Sequence, residues 1–147
     1  MTAAIETYRG FVYPWTIDHV GHMNVQSYTA RFDEASWQFL AHLGLTPSFL
    51  RDNRRGLVAL DQRSRYQEEV LAGSLLDIRT TLLEAKTKTL RYRHAMRNSE
   101  TGREVATMEL VVAYLDTDAR KATAMPDFVA ARAADLMSAG EPACKDS

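Results

Sequence analysis

The sequence predicts an α+β domain in which one early helix packs against an antiparallel sheet. Two observations carry this prediction. Apolar residues between positions 24 and 43 recur at intervals of three and four, which is the spacing of one helical face. Four strand-like runs follow between residues 56 and 115, with short turn signals between them, and strands joined by short turns pair antiparallel.

A first strand is predicted at the start of the chain. Residues 6–13 mix aromatic and β-branched side chains with polar ones, which is typical of a strand. Pro14 ends this run because proline cannot donate a hydrogen bond to a sheet. The polar residues 18–24 are predicted to form a loop.

A long helix is predicted over residues 24–43. Asn24 is a suitable N-cap, and Gly44 stands where helices commonly end in a left-handed residue. Glu34 is placed on the polar side of this helix, near Arg31. Residues 46–54 are expected to form a short polar helix or a loop.

The second half of the chain is predicted to form most of the sheet. Its strands are expected at residues 56–69, 75–85, 90–97 and 104–115. The last of these is apolar on both alternating faces, so it is expected to lie inside the sheet. A final alanine-rich helix is predicted over residues 127–137. Residues 1–137 then form one domain, and residues 138–147 a flexible tail.

Composition limits the classes of function. With 147 residues, of which 46% are hydrophobic, the chain can bury a core without a disulfide or a metal. A net charge of −1 argues against a broad nucleic-acid-binding surface. The single cysteine, Cys144, lies in the predicted tail; it suits a reducing compartment and is not expected to act as a nucleophile. No signal peptide or membrane span is evident, so a cytoplasmic protein without membrane association is expected.

The loop before the helix contains several side chains that could take part in catalysis. It contains the carboxylate of Asp18, the imidazoles of His19 and His22, the flexible Gly21 and the amide of Asn24. The first turn of the following helix supplies N–H groups without helical partners and the positive end of a dipole. A carboxylate beside such a helix start is suited to attack on a carbonyl, whose oxygen becomes negative during the reaction.

Several short motifs, taken in order, resemble one enzyme family. They are Asp18-x-x-Gly21-His22-x-Asn24-x-x-x-Tyr28 followed by Glu34 and Gly44, Tyr66-x-x-Glu69-x-x-x-Gly73-x-x-Leu76-x-Ile78, Thr101-Gly102-x-x-x-Ala106-Thr107, Leu115-Asp116 and Met125-Pro126. Over residues 11–126 their order and spacing resemble the hot-dog-fold acyl-CoA thioesterases, and most closely the 4-hydroxybenzoyl-CoA thioesterase-like group.

The resemblance implies a fold and an assembly. In this family a five-stranded antiparallel sheet wraps around a long central helix, and two subunits join their sheets edge to edge with the sites at the interface. A homodimer or a dimer of dimers is therefore expected. Acyl-CoA is the expected substrate, and because coenzyme A is part of it no separate cofactor is implied.

The resemblance also assigns catalytic roles. Asp18 matches the catalytic aspartate, which acts either as a general base for water or as a nucleophile that forms a mixed anhydride. The backbone N–H of Val25 matches the oxyanion donor. His22 is assigned an auxiliary role, with a structural hydrogen bond as the alternative. The plain alternative for Asp18 is a loop aspartate that caps backbone N–H groups.

Further residues are predicted to bind the substrate or its CoA portion. Gly21 allows a close approach, Asn24 caps the helix or contacts substrate, Tyr28 borders the pocket or belongs to the core, Asp61 lines the pocket across the dimer, and Lys86, Lys88 and Arg91 hold the nucleotide. For the basic run 86–97 the alternative is a solvated hairpin. Alternation places His94 among apolar residues, so a core or interface histidine is predicted.

No metal site is expected. Asp18, His19 and His22 are too few ligands, because zinc sites use three or four converging groups with outer-shell support. Hydrolysis of an acyl-CoA thioester is the first hypothesis. An acyl-thioester hydratase or dehydratase on the same fold, and a non-catalytic acyl-CoA-binding domain, remain the alternatives.

The acyl group is less constrained by the sequence. The aromatic residues Trp15, Tyr28, Trp37 and Tyr66 favour an aryl or a cationic acyl group. The segments 17–19 and 97–102 also resemble short-chain thioesterases of carnitine and betaine metabolism.

Overall fold

The structure, a computed structural model, describes residues 3–139. In chain order its elements are β1 (Ala4–Phe11), α1 (Val25–His42), α2 (Pro47–Asp52), β2 (Arg55–Tyr66), β3 (Leu75–Ala85), β4 (Thr89–Asn98), β5 (Glu104–Asp116), β6 (Lys121–Ala122) and α3 (Asp127–Ala139). A single 3-10 turn, Pro14–Thr16, lies between β1 and α1. The predicted order of strand, long helix, four strands and terminal helix is confirmed.

Helix α1 begins and ends where its sequence signals lie. The side-chain oxygen of Asn24 accepts a hydrogen bond from the N–H of Ser27, so Asn24 is the N-cap as predicted. Leu43 is the C-cap, and Gly44 follows it with φ of +90°, in the left-handed region. A Cβ at this glycine would lie 2.7 Å from the ring of Phe128 at the start of α3, so close packing also requires glycine.

The strands form one antiparallel sheet in the order β1-β3-β4-β5-β2. The predicted five-stranded antiparallel sheet is therefore confirmed, and β5 lies between β4 and β2 as its two apolar faces predicted. The two-residue strand β6 was not predicted. It pairs with the end of β5.

The core lies between α1 and one face of the sheet. Three aromatic contacts join them: Phe32 of α1 stacks on His94 of β4 at 5.7 Å, Phe39 meets Tyr92 at 4.9 Å, and Tyr28 meets Tyr66 of β2 at 5.0 Å between ring centroids. Val129 and Ala133 of α3 complete this buried cluster. On β4 the residues Leu90, Tyr92, His94 and Met96 are buried, which confirms the predicted alternation and the core position of His94.

Several boundaries and one side chain differ from the expectations. β1 lies two residues earlier than predicted, β2 ends at Tyr66, and α3 continues to Ala139, while residues 140–147, including Cys144, lie outside the described residues. Glu34 is exposed as expected, but the Arg31 side chain is buried and does not pair with it. Its guanidinium donates to the hydroxyl of Tyr8 and, at 3.3 Å, to the carbonyl of Phe11.

Strand β2 is an edge strand with an exposed apolar side chain. It pairs with β5 on one side only within residues 3–139, and a bulge at Leu60 leaves that side chain 61% exposed. Such an edge can accept another strand. The expected edge-to-edge assembly stays a prediction. Among the described residues no helix is both long and apolar enough to cross a bilayer.

Candidate active site

The loop before α1 is a closed hairpin. Ile17 and Met23 form an isolated antiparallel bridge, and inside it the N–H of Asp18 donates to the carbonyl of His22 at 3.3 Å. The N–H of Gly21 donates to the carbonyl of Asp18 at 3.0 Å, with φ of +99° at the glycine. Because other residues rarely adopt this φ, Gly21 is what allows the hairpin to turn so tightly.

The Asp18 carboxylate is partly exposed within this hairpin. Its Oδ1 accepts a hydrogen bond from the N–H of Val20 at 2.9 Å, which is the local contact expected of a loop aspartate. Its Oδ2 makes no hydrogen bond or ion pair with any other of the residues 3–139. One oxygen therefore holds the loop, and the other is open to a water molecule or a substrate.

Asn24 fastens the hairpin to the first turn of α1. Its backbone N–H and its side-chain amide both donate to the carbonyl of Thr16, at 3.0 and 3.1 Å. Its side-chain oxygen accepts from the N–H of Ser27 at 3.0 Å. One residue thus fixes the helix start relative to the chain just before Asp18.

The start of α1 presents a free donor. Val25 is the first helical residue and is 62% exposed. The first N–H groups of a helix have no acceptor within it, and the Asn24 side chain accepts from Ser27 and not from Val25, so the N–H of Val25 is without a partner among the described residues. This free N–H lies at the positive end of the helix dipole, where negative charge on an oxygen is stabilised.

The hairpin also contacts the chain that connects β2 to β3. The N–H of the buried Met23 donates to the carbonyl of Val70 at 2.7 Å. Beside it, Nε2 of His22 lies 3.9 Å from Oε1 of Glu69. The hairpin and residues 67–70 therefore form two neighbouring walls.

Between these walls lies an open cavity of about 340 Å³. It is lined by His22, Met23, Val25, Tyr28, Tyr66, Gln67, Glu68 and Glu69. The structure thus brings together three of the predicted site residues, His22, Val25 and Tyr28. Asp18 lies in the adjoining hairpin and not in the cavity wall.

Tyr28 is the buried floor of this cavity. Its side chain is 4% exposed, and its hydroxyl lies 3.4 Å from the carbonyl oxygen of Glu68. The ring of Tyr66 meets it edge-on, with the two planes at 75°. Burial raises the pKa of the Tyr28 hydroxyl, and the neighbouring Tyr66 and the carboxylate of Glu69 raise it further.

The glutamates of the cavity were not predicted as site residues. Glu69 and Tyr66 appeared in one motif, and Tyr66 also as one of several aromatic residues that favour an aryl or a cationic acyl group. The available signal was position: both lie where the edge strand β2 ends and the chain turns toward β3. Chain segments of this kind often carry function.

The predicted nucleotide-binding residues lie elsewhere. Tyr66 pairs with Ala106 on β5, whereas the carbonyl of Lys88 accepts from the N–H of Tyr114. The eight residue-to-residue steps that separate those two β5 positions span roughly 26 Å at about 3.3 Å per step. Within one chain, Lys88 and the cavity therefore stand at opposite ends of the sheet.

The basic hairpin is also partly neutralised. Lys86 Nζ lies 3.2 Å from a Glu84 oxygen, and Arg91 contacts Glu109 at 2.8 Å and Glu84 at 3.5 Å. Lys86 borders a second cavity of about 490 Å³ between the β3–β4 turn and α3. Asp61 is exposed on β2 and lines neither of these two cavities.

A metal site has no ligand set within residues 3–139. No three His, Cys, Asp or Glu side chains there are close enough together to hold an ion. The expectation that no cofactor is needed stays a prediction.

Comparison with known proteins identifies the family to which the chain is similar. Residues 12–133 match the family model of the thioesterase-like superfamily. The chain is 34% identical over 125 residues to an L-carnitine dehydrogenase/betainyl-CoA thioesterase of Agrobacterium fabrum, covering 85% of this chain but only 25% of that relative. It therefore spans about a quarter of that protein's length.

Two further matches span most of both chains. A betainyl-CoA thioesterase of Pseudomonas aeruginosa is 27% identical over 139 residues, which cover 95% of this chain and 87% of the relative. A Staphylococcus aureus protein solved in complex with CoA superposes with a TM-score of 0.87 at 19% identity, over 97% of this chain and 88% of that one. This structural likeness establishes the shared fold.

Proposed function

The chain belongs to the thioesterase-like superfamily and has the hot-dog fold, and from this premise we propose that it hydrolyses acyl-CoA thioesters to a carboxylic acid and free CoA. One observation carries the proposal. Asn24 holds the Asp18 hairpin against the first turn of α1, where the N–H of Val25 is free, beside an open cavity. Two relatives whose names include betainyl-CoA thioesterase support it.

The chemistry follows from these groups. In one route the Asp18 carboxylate takes a proton from water while the water oxygen bonds to the thioester carbon. The carbonyl oxygen becomes an oxyanion that accepts from the N–H of Val25, a contact worth roughly 3–4 kcal/mol of barrier. The C–S bond then breaks, and the electron pair leaves with sulfur as the CoA thiolate.

A second route uses the same carboxylate as a nucleophile. Asp18 bonds to the carbonyl carbon, the thiolate leaves, and water then hydrolyses the mixed anhydride. In both routes His22 is an auxiliary group, since its ring lies near Glu69 and borders the cavity. A thiolate is a good leaving group, so neither route needs a strong general acid.

Self-association completes the proposed site. The CoA nucleotide is assigned to Lys86, Lys88 and Arg91, at the opposite end of the sheet from the cavity. If two copies join their β2 edges about a two-fold axis, the opposite ends of their sheets come side by side. The basic β3–β4 hairpin of one subunit, with Lys86 and Lys88, then lies near the helix start of the other, so we propose a homodimer or a dimer of dimers.

Release of free thiol tests the proposed function. A chromogenic thiol reagent, with a panel of short, long, aromatic and betainyl acyl-CoA substrates, measures hydrolysis directly. Asp18→Asn removes the base and the nucleophile, so kcat should fall at least 100-fold while fold and oligomeric state are kept. Asp52→Asn, at an exposed position on α2, is the matched control and should leave kcat unchanged.

Other outcomes point to the other hypotheses. Hydration of an α,β-unsaturated acyl-CoA without thiol release indicates a hydratase. Saturable acyl-CoA binding with neither reaction indicates a binding domain, in which Asp18 only caps Val20.

A further inference from the structure

The cavity beside the helix start combines two features that a cation requires. Tyr28 and Tyr66 offer two aromatic rings whose planes meet at 75°, with centroids 5.0 Å apart. Aromatic faces attract cations through the negative potential of their π electrons, and quaternary ammonium groups are commonly held by such rings. Tyr66 is 47% exposed, so its ring is accessible from the cavity.

A carboxylate also borders the cavity at its exposed edge: that of Glu69, whose side chain is 73% exposed. Glu68 forms an ion pair with Arg103, so its charge is balanced within the protein. Glu69 has no Lys or Arg partner among the residues 3–139; its nearest basic group is the imidazole of His22 at 3.9 Å. Glu69 and Tyr28 line the same cavity, and the Glu69 carboxylate is one of the groups that raise the pKa of the Tyr28 hydroxyl, after burial and Tyr66.

The proposed oxyanion donor borders the same small space. Val25 lines the cavity of about 340 Å³ together with the two tyrosines and Glu69. A thioester whose carbonyl oxygen meets the N–H of Val25 has one of its two arms among these side chains, and we assign the acyl arm to them. The small volume of the cavity favours a short acyl group. A charged group on such an acyl chain lies only a few bonds from the carbonyl carbon.

We infer that this cavity selects short acyl groups that carry a quaternary ammonium, with Tyr28 and Tyr66 contacting its methyl groups and Glu69 supplying the counter-charge. This inference rests on the proposed thioester hydrolysis. The names of the two betainyl-CoA thioesterase relatives point to the same class of acyl group, and what is new is the assignment of the residues that select it. An acyl group bearing a carboxylate is disfavoured, because Glu69 repels it.

Two substrates of the same shape isolate the effect of charge. (Trimethylammonio)acetyl-CoA and 3,3-dimethylbutanoyl-CoA differ only by nitrogen in place of the quaternary carbon. The ammonium group itself activates the neighbouring carbonyl, so the wild-type ratio of kcat/KM values mixes reactivity with recognition. The change in that ratio caused by a substitution reports recognition alone, because the intrinsic reactivity of each substrate is constant.

Three substitutions and one control complete the experiment. Tyr66→Leu and Glu69→Gln should each lower the ratio of cationic to neutral kcat/KM by about tenfold, as expected for loss of a partly desolvated cation contact. Tyr66→Phe keeps the ring and should keep the ratio within about twofold. Glu100→Gln, on the exposed β4–β5 turn, removes the same kind of charge away from the cavity and should leave the ratio unchanged.

Failure of this inference is distinct from failure of the proposed function. Thiol release with a ratio that is the same in wild type, Tyr66→Leu and Glu69→Gln overturns the inference and leaves hydrolysis intact. If no substrate releases thiol, the cation site is tested by binding of tetramethylammonium. Shifts of the tyrosine ring resonances measure this binding. Binding that weakens in Glu69→Gln supports a cation site without hydrolysis, and absence of binding overturns the inference.

Discussion

Ser36 Oγ on α1 lies 2.8 Å from Nε2 of His94 on β4, in the fully buried interior. On the other side of the ring Nδ1 lies 2.7 Å from Oγ1 of Thr80, which in turn lies 2.8 Å from Oγ1 of Thr7. This chain of polar groups joins the helix to three strands. A neutral imidazole can donate at one nitrogen and accept at the other, so the hydroxyls satisfy it fully.

We predict that His94 makes the protein sensitive to mild acid. Burial lowers the pKa of His94 to about 3, whereas a histidine in the unfolded chain titrates near 6.5. Between these values the unfolded chain binds a proton that the folded protein does not. The stabilising effect is therefore complete above pH 6.5 and is lost as pH falls, by up to tenfold in the folding equilibrium per pH unit.

Urea unfolding between pH 7 and pH 4 measures this effect. His94→Gln should flatten the dependence of unfolding free energy on pH, and His42→Gln, at an exposed position, serves as the control. If His94→Gln does not fold, the ring resonances of His94 in the wild type should stay unshifted from pH 7 to pH 5. Titration of those resonances near pH 6.5 would contradict the prediction.

The ion pair of Asp77 and Arg97 should contribute measurably to stability. Burial raises the pKa of Asp77, but hydrogen bonds from Arg97 and Ser99 outweigh it and hold the pKa below its usual value. Arg97 donates to both carboxylate oxygens, at 3.0 and 3.4 Å. Arg97→Met leaves the buried carboxylate short of donors and should lower the free energy of unfolding by roughly 2 kcal/mol, less than for a fully buried pair.

Chemical denaturation at pH 7 checks this value. Arg9→Met removes an arginine from the exposed Arg9–Glu6 pair and is the matched control. Exposed pairs contribute little, so the denaturation midpoint of the control should barely move. Equal shifts in the two variants would show that burial of Asp77 does not matter.

Local sequence signals predicted the elements well because those signals act over one helical turn or one strand. The cap at Asn24, the glycine after α1 and the two apolar faces of β5 are examples. The position of Arg31 could not be predicted in this way. Its partners Tyr8 and Phe11 lie on β1, and only the arrangement of the sheet brings that strand beside α1.

The candidate site likewise has parts that local sequence signals indicate and parts that depend on contacts between distant segments. The loop before α1 and the Asn24 cap are contiguous in sequence, so local signals indicated both, although not that the loop closes into a hairpin. The role of the Val25 N–H came from the family resemblance. The contact of Tyr28 with Tyr66 depends on how α1 crosses the end of β2, and the position of Glu69 depends on the path between β2 and β3. Neither is encoded in local periodicity.

Gly21 should be required for activity more than for stability. Its φ of +99° disfavours a side chain, yet a Cβ there meets no atom within 4 Å, so the penalty is one of backbone conformation alone. Gly102 has φ of +73° and equally open surroundings on the β4–β5 turn. Gly21→Ala and Gly102→Ala should each lower stability by about 1 kcal/mol.

Only the first substitution should affect catalysis. Gly21→Ala shifts the hairpin that carries Asp18, so kcat should fall about tenfold or more, as small misplacements of a catalytic group do. Thermal unfolding and thiol release, measured on both variants, check the prediction. Equal kcat in the two variants would argue against the hairpin as the catalytic element.

Asn24 has two separable roles, and two substitutions distinguish them. Asn24→Asp keeps an oxygen for the N–H of Ser27 and adds favourable charge at the helix start, so stability should be retained. It loses the side-chain amide that donates to the carbonyl of Thr16, which holds the hairpin to the helix. Asn24→Ala loses both contacts and should lower stability by about 1 kcal/mol.

The effects of the two Asn24 substitutions on kcat should differ from their effects on stability. Because both variants release the side-chain bond to Thr16, both should lose kcat, although only Asn24→Ala loses stability. Thr46 is the equivalent cap of α2, and its Oγ1 accepts from the N–H of Phe49. Thr46→Ala removes this cap and should lower stability without changing kcat. If Asn24→Asp retains full kcat, the bond to Thr16 does not position Asp18, and Asn24 acts only as a helix cap.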